Sequence, residues 1–189
     1  MTQNILFLGN ENNSIIDFLK DKNSVTLCTK KIDVDYVKKF DFVISYGYRH
    51  IIKKNVIDAS KNGIINLHIS YLPWNRGADP NFWSFVDKTK KGVTIHFIDE
   101  GIDTGDTILQ KEVNFYSEKT LAETYNKLSN EIEDLFIRNW KNISSGGCER
   151  KKQPAGGSFH LAKEFKKYNL ENGWDTRVNN LHNIVMKDK

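Results

Sequence analysis

Cysteine is scarce in this chain: two residues, Cys28 and Cys148, among 189. So separated a pair builds neither a disulfide framework nor a metal site; no metal is expected, and reduced thiols in a cytoplasm are. Long apolar runs are missing as well. No stretch approaches the roughly 20 residues that a membrane helix needs, and the opening MTQNILFLGN has neither the basic start nor the cleavage site of a secretory leader. A cytoplasmic protein with no membrane partner is expected. Charge of one sign is not concentrated either. The net charge of +4 is spread over lysine pairs from Lys30-Lys31 to Lys166-Lys167. Those pairs read as solvated faces, with a mild pull on an anionic substrate as the weaker reading. A nucleic-acid groove would ask for a clustered basic stripe with aromatics between, so no nucleic-acid partner is expected.

What is present is an ordinary globular composition, 39% hydrophobic and 28% charged, in a length that suits one domain with a small appendage. Ile5 to Leu8 reads as a buried strand, Gly9-Asn10 as a turn, and Ile15, Ile16 and Leu19 as the apolar side of a helix. Strands at Val25–Cys28 and Asp41–Ser45 then alternate with helices over Asp33–Phe40 and Ile51–Ala59. That alternation predicts an α/β fold, a Rossmann-like doubly wound and mostly parallel sheet with helices on both faces. The fingerprint G-x-G-x-x-G is absent, because Asn10, Glu11, Asn12 and Asn13 follow Gly9; a dinucleotide site is rejected. The turn is either a plain βα turn capped by Asn12, Asn13 or Ser14, or a substrate contact through Asn10. Ligands of such sheets sit beyond the carboxyl ends of the strands.

The chain is organised around Gly63 to Asp106. Ile64-Ile-Asn-Leu-His-Ile69 alternates as a strand, so Asn66 and His68 leave the same face. A turn-rich loop follows, Pro73 to Asn81, in which Trp74, Arg76 and Asn81 offer a stacking surface, a cation and an amide for a polar acceptor. The isomer of Leu72-Pro73 is left open. Phe82, Trp83, Phe85 and Val86 read as the buried side of a helix. Gly92 to Ile98 alternates as the next strand, with His96 taken as structural. It runs into an Asp-Thr-Gly turn carrying Asp103. An amide, an imidazole and a carboxylate returning from the neighbouring strand make one reactive site: a donor, an acid/base group and an anion to orient it.

NLHISYLPWNRG followed by GVTIHFIDEGIDTGD resembles the catalytic core of the folate-dependent formyltransferases, and within them most closely the sugar N-formyltransferases. Three separated elements agree in order and spacing: Asn-x-His, Leu-Pro and Asp-x-Gly. The resemblance implies transfer of a formyl group from N10-formyltetrahydrofolate to a primary amine, with Asn66, His68 and Asp103 catalytic. Asn66 and a protonated His68 would stabilise the oxyanion, and Asp103 would raise the His68 pKa. It implies cofactor contacts from the edge loops through Tyr48, Arg49 and Ile51, largely by backbone, and from the turn at Asp99 and Gly101. The alternative is that Tyr48 packs, Arg49 is exposed and Asp99 merely holds its turn. The implied acceptor is an amino sugar, nucleotide-linked, for surface-glycan synthesis.

Thr120-Leu-Ala-Glu123 is a capping box, and Leu121, Tyr125, Leu128, Ile132 and Leu135 form one apolar stripe of a long helix ending near Trp140 to Ile143. The stripe is core packing or part of a homodimer face. The expected organisation is a catalytic domain over 1–145 and a short C-terminal extension over 146–189 packed on or beside it. Gly157-Ser158-Phe159-His160 is similar to a segment that closes the core of several sugar N-formyltransferases. That extension is too short for the tRNA-contacting domain of methionyl-tRNA formyltransferase. A minimal enzyme of that kind, a formyltetrahydrofolate hydrolase, and a non-catalytic folate or nucleotide-sugar binding protein remain alternatives.

Overall fold

A computed structural model describes residues 2–9 and 13–187. Five strands and three helices come before the first site loop closes. They are β1 (Asn4–Gly9), α1 (Ser14–Lys20), β2 (Ser24–Cys28), α2 (Val34–Val37), β3 (Phe42–Tyr46), α3 (Lys54–Ala59), β4 (Ile64–His68) and the two-residue β5 (Arg76–Gly77). Then follow α4 (Pro80–Val86), β6 (Gly92–Phe97), β7 (Thr107–Glu112), the long α5 (Leu121–Ser144), β8 (Phe159–His160), α6 (Ala162–Phe165) and α7 (Leu181–Lys187). The six-stranded sheet runs β2-β1-β3-β4-β6-β7. Its first four strands are parallel, while β6 and β7 are antiparallel to their neighbours.

Each strand of the parallel half feeds one apolar cluster from each face. Ile5, Phe7, Ile44, Ile65 and Leu67 meet α1 and α5, while Leu6, Leu8, Val43 and Ile64 meet α2 and α3. Strands buried on both sides carry near-continuous apolar runs, as β1 and β3 do. A third cluster joins Phe82, Trp83 and Val86 of α4 to Leu121, Leu181 and Val185.

Helix α5 begins where the sequence marks it. Thr120 Oγ1 accepts from the Glu123 N–H and the Glu123 carboxylate accepts from the Thr120 N–H, so both arms of the capping box are made. Its buried stripe is Leu121, Thr124, Leu128, Ile132, Phe136 and Ile143, which leaves Tyr125 40% exposed. Ser14, at the carboxyl end of β1, binds the Glu133 carboxylate (N–H to Oε2, 3.0 Å), and Trp140 packs edge-on against Phe42 at the opposite end of the sheet. The first turns of α5 therefore overhang the carboxyl edge, where β4 delivers its polar residues.

Candidate active site

Strand β4 pairs antiparallel with β6 so that Asn66 lies opposite His96 and His68 opposite Thr94. The register places an amide beside an imidazole, and the turn between β6 and β7 folds Asp103 back over both. Asn66 Nδ2 donates to Asp103 Oδ1 at 3.2 Å and lies 3.2 Å from His96 Nε2. His96 Nδ1 faces the Phe97 carbonyl at 2.8 Å. A carbonyl can only accept, so His96 Nδ1 carries a proton, while its Nε2 stands between the Asn66 amide and Asp103 Oδ1, 3.4 Å away. By the same logic His68 Nε2, 3.1 Å from the Asn75 carbonyl, carries its proton. His68 Nδ1 is then the nitrogen free to take a proton, and it faces Asp103 Oδ2 at 3.7 Å. That separation exceeds a hydrogen bond.

Burial sets the protonation states. His68 is 8% exposed, and desolvation lowers its pKa more than the Asp103 charge raises it. The expectation that Asp103 would leave His68 with a raised pKa is thus corrected: the attraction is present and burial outweighs it. For Asp103 burial pushes the other way, but His68, His96 and the Gly77 N–H overcome it and hold the carboxyl well below the usual carboxylate range. Two of its donors, Gly77 N–H to Oδ2 at 2.9 Å and the Asn66 amide, act whatever the charge on the imidazoles.

The turn geometry is exacting. Asp103 has φ +54°, a left-handed conformation that Asp tolerates better than most residues. Gly105 could not carry a side chain, since a Cβ would lie 1.9 Å from the Phe97 carbonyl oxygen. Gln153 closes the turn from outside: its Nε2 donates to the carbonyls of Asp103 and Gly105, both at 2.8 Å. Its Oε1 accepts from Arg76 Nε and Nη2 at 3.1 and 2.7 Å. Arg76, expected on the acceptor, therefore has much of its guanidinium engaged in this clamp.

Asn75 is a second supporting residue. It is fully buried at φ +56°. Its N–H donates to Ser158 Oγ at 2.9 Å, and its Oδ1 accepts from Thr89 Oγ1 at 2.6 Å. So held, its carbonyl points at His68. His160 stacks on Trp83, rings 4.0 Å apart, and binds Asp87 at 2.7 Å. The extension thus supplies Gln153, Ser158 and His160 to the scaffold of the site.

Of the edge residues, Ile51 is 83% exposed, an apolar side chain left at the carboxyl edge, and Arg49 is exposed beside it. The Tyr48 hydroxyl instead donates to the Lys30 carbonyl at 2.7 Å, which is the packing alternative. Asp99 holds its own turn, accepting from the Gly101 N–H and Thr104 Oγ1; Gly101 is exposed on it. Trp74 is exposed at its turn, after a cis Leu72-Pro73 bond. Asn81 is buried, with Nδ2 donating to the Leu121 carbonyl and Thr124 Oγ1. Asn10 lies outside the described residues. Sequence alone leaves His96 a structural residue, because a cross-strand register is not written in either strand. No sequence signal marked Gln153 at all. Among the described residues no cluster of three or more His, Cys, Asp or Glu could hold a metal, and no helix is long and apolar enough to cross a membrane.

The sequence profile of the formyl transferase family matches residues 23–139, and the chain belongs to that family. A methionyl-tRNA formyltransferase of Clostridium beijerinckii is 35% identical over 161 residues, which cover 82% of this chain and 52% of the relative. The chain spans about half the length of the curated relatives it matches. Among solved structures, the formyltransferase PseJ from Anoxybacillus kamchatkensis is 48% identical with a TM-score of 0.89, over 94% of this chain and 97% of that one. It was solved in complex with UDP-4,6-dideoxy-4-formamido-L-AltNAc and tetrahydrofolate. A 4-N formyltransferase from Francisella tularensis shares the fold at 22% identity and a TM-score of 0.79, over 95% of this chain and 86% of that one.

Proposed function

We propose that the chain transfers the formyl group of N10-formyltetrahydrofolate to the primary amine of a nucleotide-linked amino sugar. The observation that carries this reading is the convergence of Asn66, His68 and Asp103 on one point of the carboxyl edge. The 48% identical PseJ, aligned over nearly its whole length, supports the acceptor class.

The donor supplies an electrophilic formyl carbon. Neutral His68 offers Nδ1 to the attacking amine and takes its proton as the new C–N bond forms, then returns that proton to N10 of the donor as the C–N10 bond breaks and tetrahydrofolate leaves. Asp103, already ionised, stabilises the imidazolium that results. One Asn66 amide hydrogen turns from Asp103 or His96 to the oxygen on which charge develops. Loops 47–52 and 99–104 flank this point, and Ile51 gives the donor an apolar wall.

A second reading has its own support. The curated relatives at 31–35% identity are methionyl-tRNA formyltransferases. One experiment separates the two. Purified chain is given N10-formyltetrahydrofolate with either a UDP-4-amino-4,6-dideoxy sugar or charged initiator tRNA. Formylation of the sugar amine with the tRNA untouched is expected; the reverse overturns the sugar reading. Formate released with neither acceptor would mark a hydrolase.

A further inference from the structure

His68 stands between two acceptors that compete for one proton. On one side the Asn75 carbonyl lies 3.1 Å from Nε2; on the other, Asp103 Oδ2 lies 3.7 Å from Nδ1. By charge the carboxylate is the stronger acceptor, by a factor of about two. Distance decides against it, because only the carbonyl is within hydrogen-bond reach. Were that carbonyl to swing away, the neutral imidazole would turn its proton to Nδ1 and Asp103. The nitrogen that faces the amine would then no longer be basic.

The aim of the carbonyl is fixed by contacts made away from His68. Asn75 is fully buried at φ +56°, a left-handed conformation that Asn enters more readily than most residues with a side chain. Its Oδ1 accepts from Thr89 Oγ1 at 2.6 Å, and its Nδ2 approaches Asp87 Oδ2 at 3.5 Å. Its N–H donates to Ser158 Oγ at 2.9 Å. The Arg76 N–H repeats that link through the Ser158 carbonyl at 2.9 Å, and the Gly77 N–H goes to Asp103. One turn, 75–77, thus touches both His68 and Asp103, and Ser158 of the extension sets its register.

We propose that Asn75, and Ser158 through it, are positioning residues of the reaction: they hold the His68 proton on Nε2 and so keep Nδ1 as the base. The Asn75 side chain is engaged by Thr89 and Asp87, and the Ser158 hydroxyl by Asn75. Both therefore act through the imidazole and not on substrate. The effect on rate rests on the formyl-transfer reading above; the place of the proton does not.

The test compares wild type, Ser158→Ala, Ser158→Thr and Asn75→Gly in the full chain. Glycine keeps the left-handed backbone without strain and removes only the anchoring amide. Long-range ¹H–¹⁵N NMR places the proton of neutral His68, the signal being assigned by its loss in His68→Ala. Wild type and Ser158→Thr are expected to carry it on Nε2. Ser158→Ala and Asn75→Gly are expected to show a mixture with Nδ1–H. Their kcat should fall about tenfold or more with acceptor KM little changed, a base held wholly in the wrong tautomer costing up to about 10⁴-fold. An unmoved proton and unchanged kcat in both variants would overturn the proposal, even where a variant melts lower. A moved proton with kcat unchanged would overturn it too, since Nδ1 would then not be the base. So would a raised KM at constant kcat, which would make these residues substrate contacts. If Asn75→Gly does not fold, Ser158→Ala decides alone. Failure of the parent reading looks different: wild type formylates no amine, while the His68 proton still moves in Ser158→Ala, and the positioning role stands.

Discussion

At His68 two forces act on one proton. Burial disfavours the imidazolium, the Asp103 carboxylate favours it, and burial prevails. The neutral base is therefore the resting form at neutral pH, and His68 is lost as a base only as pH falls through a pKa below the ordinary imidazole value of about 6.5. The His68 imidazole of the wild type, titrated by NMR, should have its midpoint below that value. Asp103→Asn removes the anion that favours the charged form, so the midpoint should move still lower while kcat falls. A midpoint that rises in this variant would contradict the sign. His68→Ala should cost about 10²–10⁴-fold in kcat with tetrahydrofolate binding retained, measured by steady-state rates and calorimetry. At this scale the sequence was legible where chemistry follows alternation or a turn: Asn66 and His68 share a strand face, and Asp103 stands in an Asp-x-Gly turn. His96 was not, since its place opposite Asn66 depends on pairing β4 with β6 in one register. Asn75 was not, since its carbonyl, not its side chain, reaches His68.

Elements carry the residues, and two contacts between them bear on rate or stability. Gln153 ties the Asp103 turn to Arg76, so Gln153→Leu should leave two carbonyls without their donor. Each such loss is worth about 1–3 kcal/mol. The expected result is a kcat lowered tenfold or more, with acceptor KM little changed; a large rise in KM at constant kcat would instead make Arg76 or Gln153 a substrate contact. Gly77 donates to Asp103 at φ +89°, and a Cβ there would meet the His160 carbonyl oxygen at 2.2 Å. Gly77→Ala should cost about 1–3 kcal/mol and lower Tm by several degrees in a thermal melt. Helix α5 illustrates what patterning can and cannot give. Its capping box was readable to the residue, because it is local hydrogen bonding. Its stripe was readable only in part. Thr124 is buried by hydrogen bonds to the Thr120 and Leu121 carbonyls and to Asn81, and Phe136 is fully buried beside Leu135, which packs against the core while partly exposed. Helix α2 likewise spans Val34–Val37, short of the expected Asp33–Phe40; Phe40 closes with a tight bond to the Val37 carbonyl.

The whole molecule depends on its last forty-odd residues more than a boundary at 145 suggests. Strand β8 pairs with β5 beside the site, Gln153 and Ser158 hold the Asp103 turn and Asn75, and Leu181 and Val185 cover Phe82 and Trp83. Composition marks 146–189 as polar and basic, which reads as an appendage, because its contacts with the core are hydrogen bonds and a few scattered apolar residues. A chain ending at residue 145 should therefore lose cooperative unfolding. Each core side chain uncovered is worth about 1.5–3 kcal/mol against a total of about 5–15 kcal/mol for a domain. A sharp thermal transition in that shortened chain would mean that the extension is separable after all. The doubly wound sheet itself was legible from its alternating strands and helices; the antiparallel half was not, since β6 and β7 carry the same alternation in either direction.

The most direct measurement follows the formyl carbon. Wild-type chain and His68→Ala are incubated with N10-[¹³C]formyltetrahydrofolate and a UDP-4-amino-4,6-dideoxy sugar, and the label is located by NMR. The account expects label in a sugar formamide, one tetrahydrofolate released per amide formed, and almost none of either with the variant. Label left on the donor, or appearing as free formate, or an undiminished rate in His68→Ala, would contradict it.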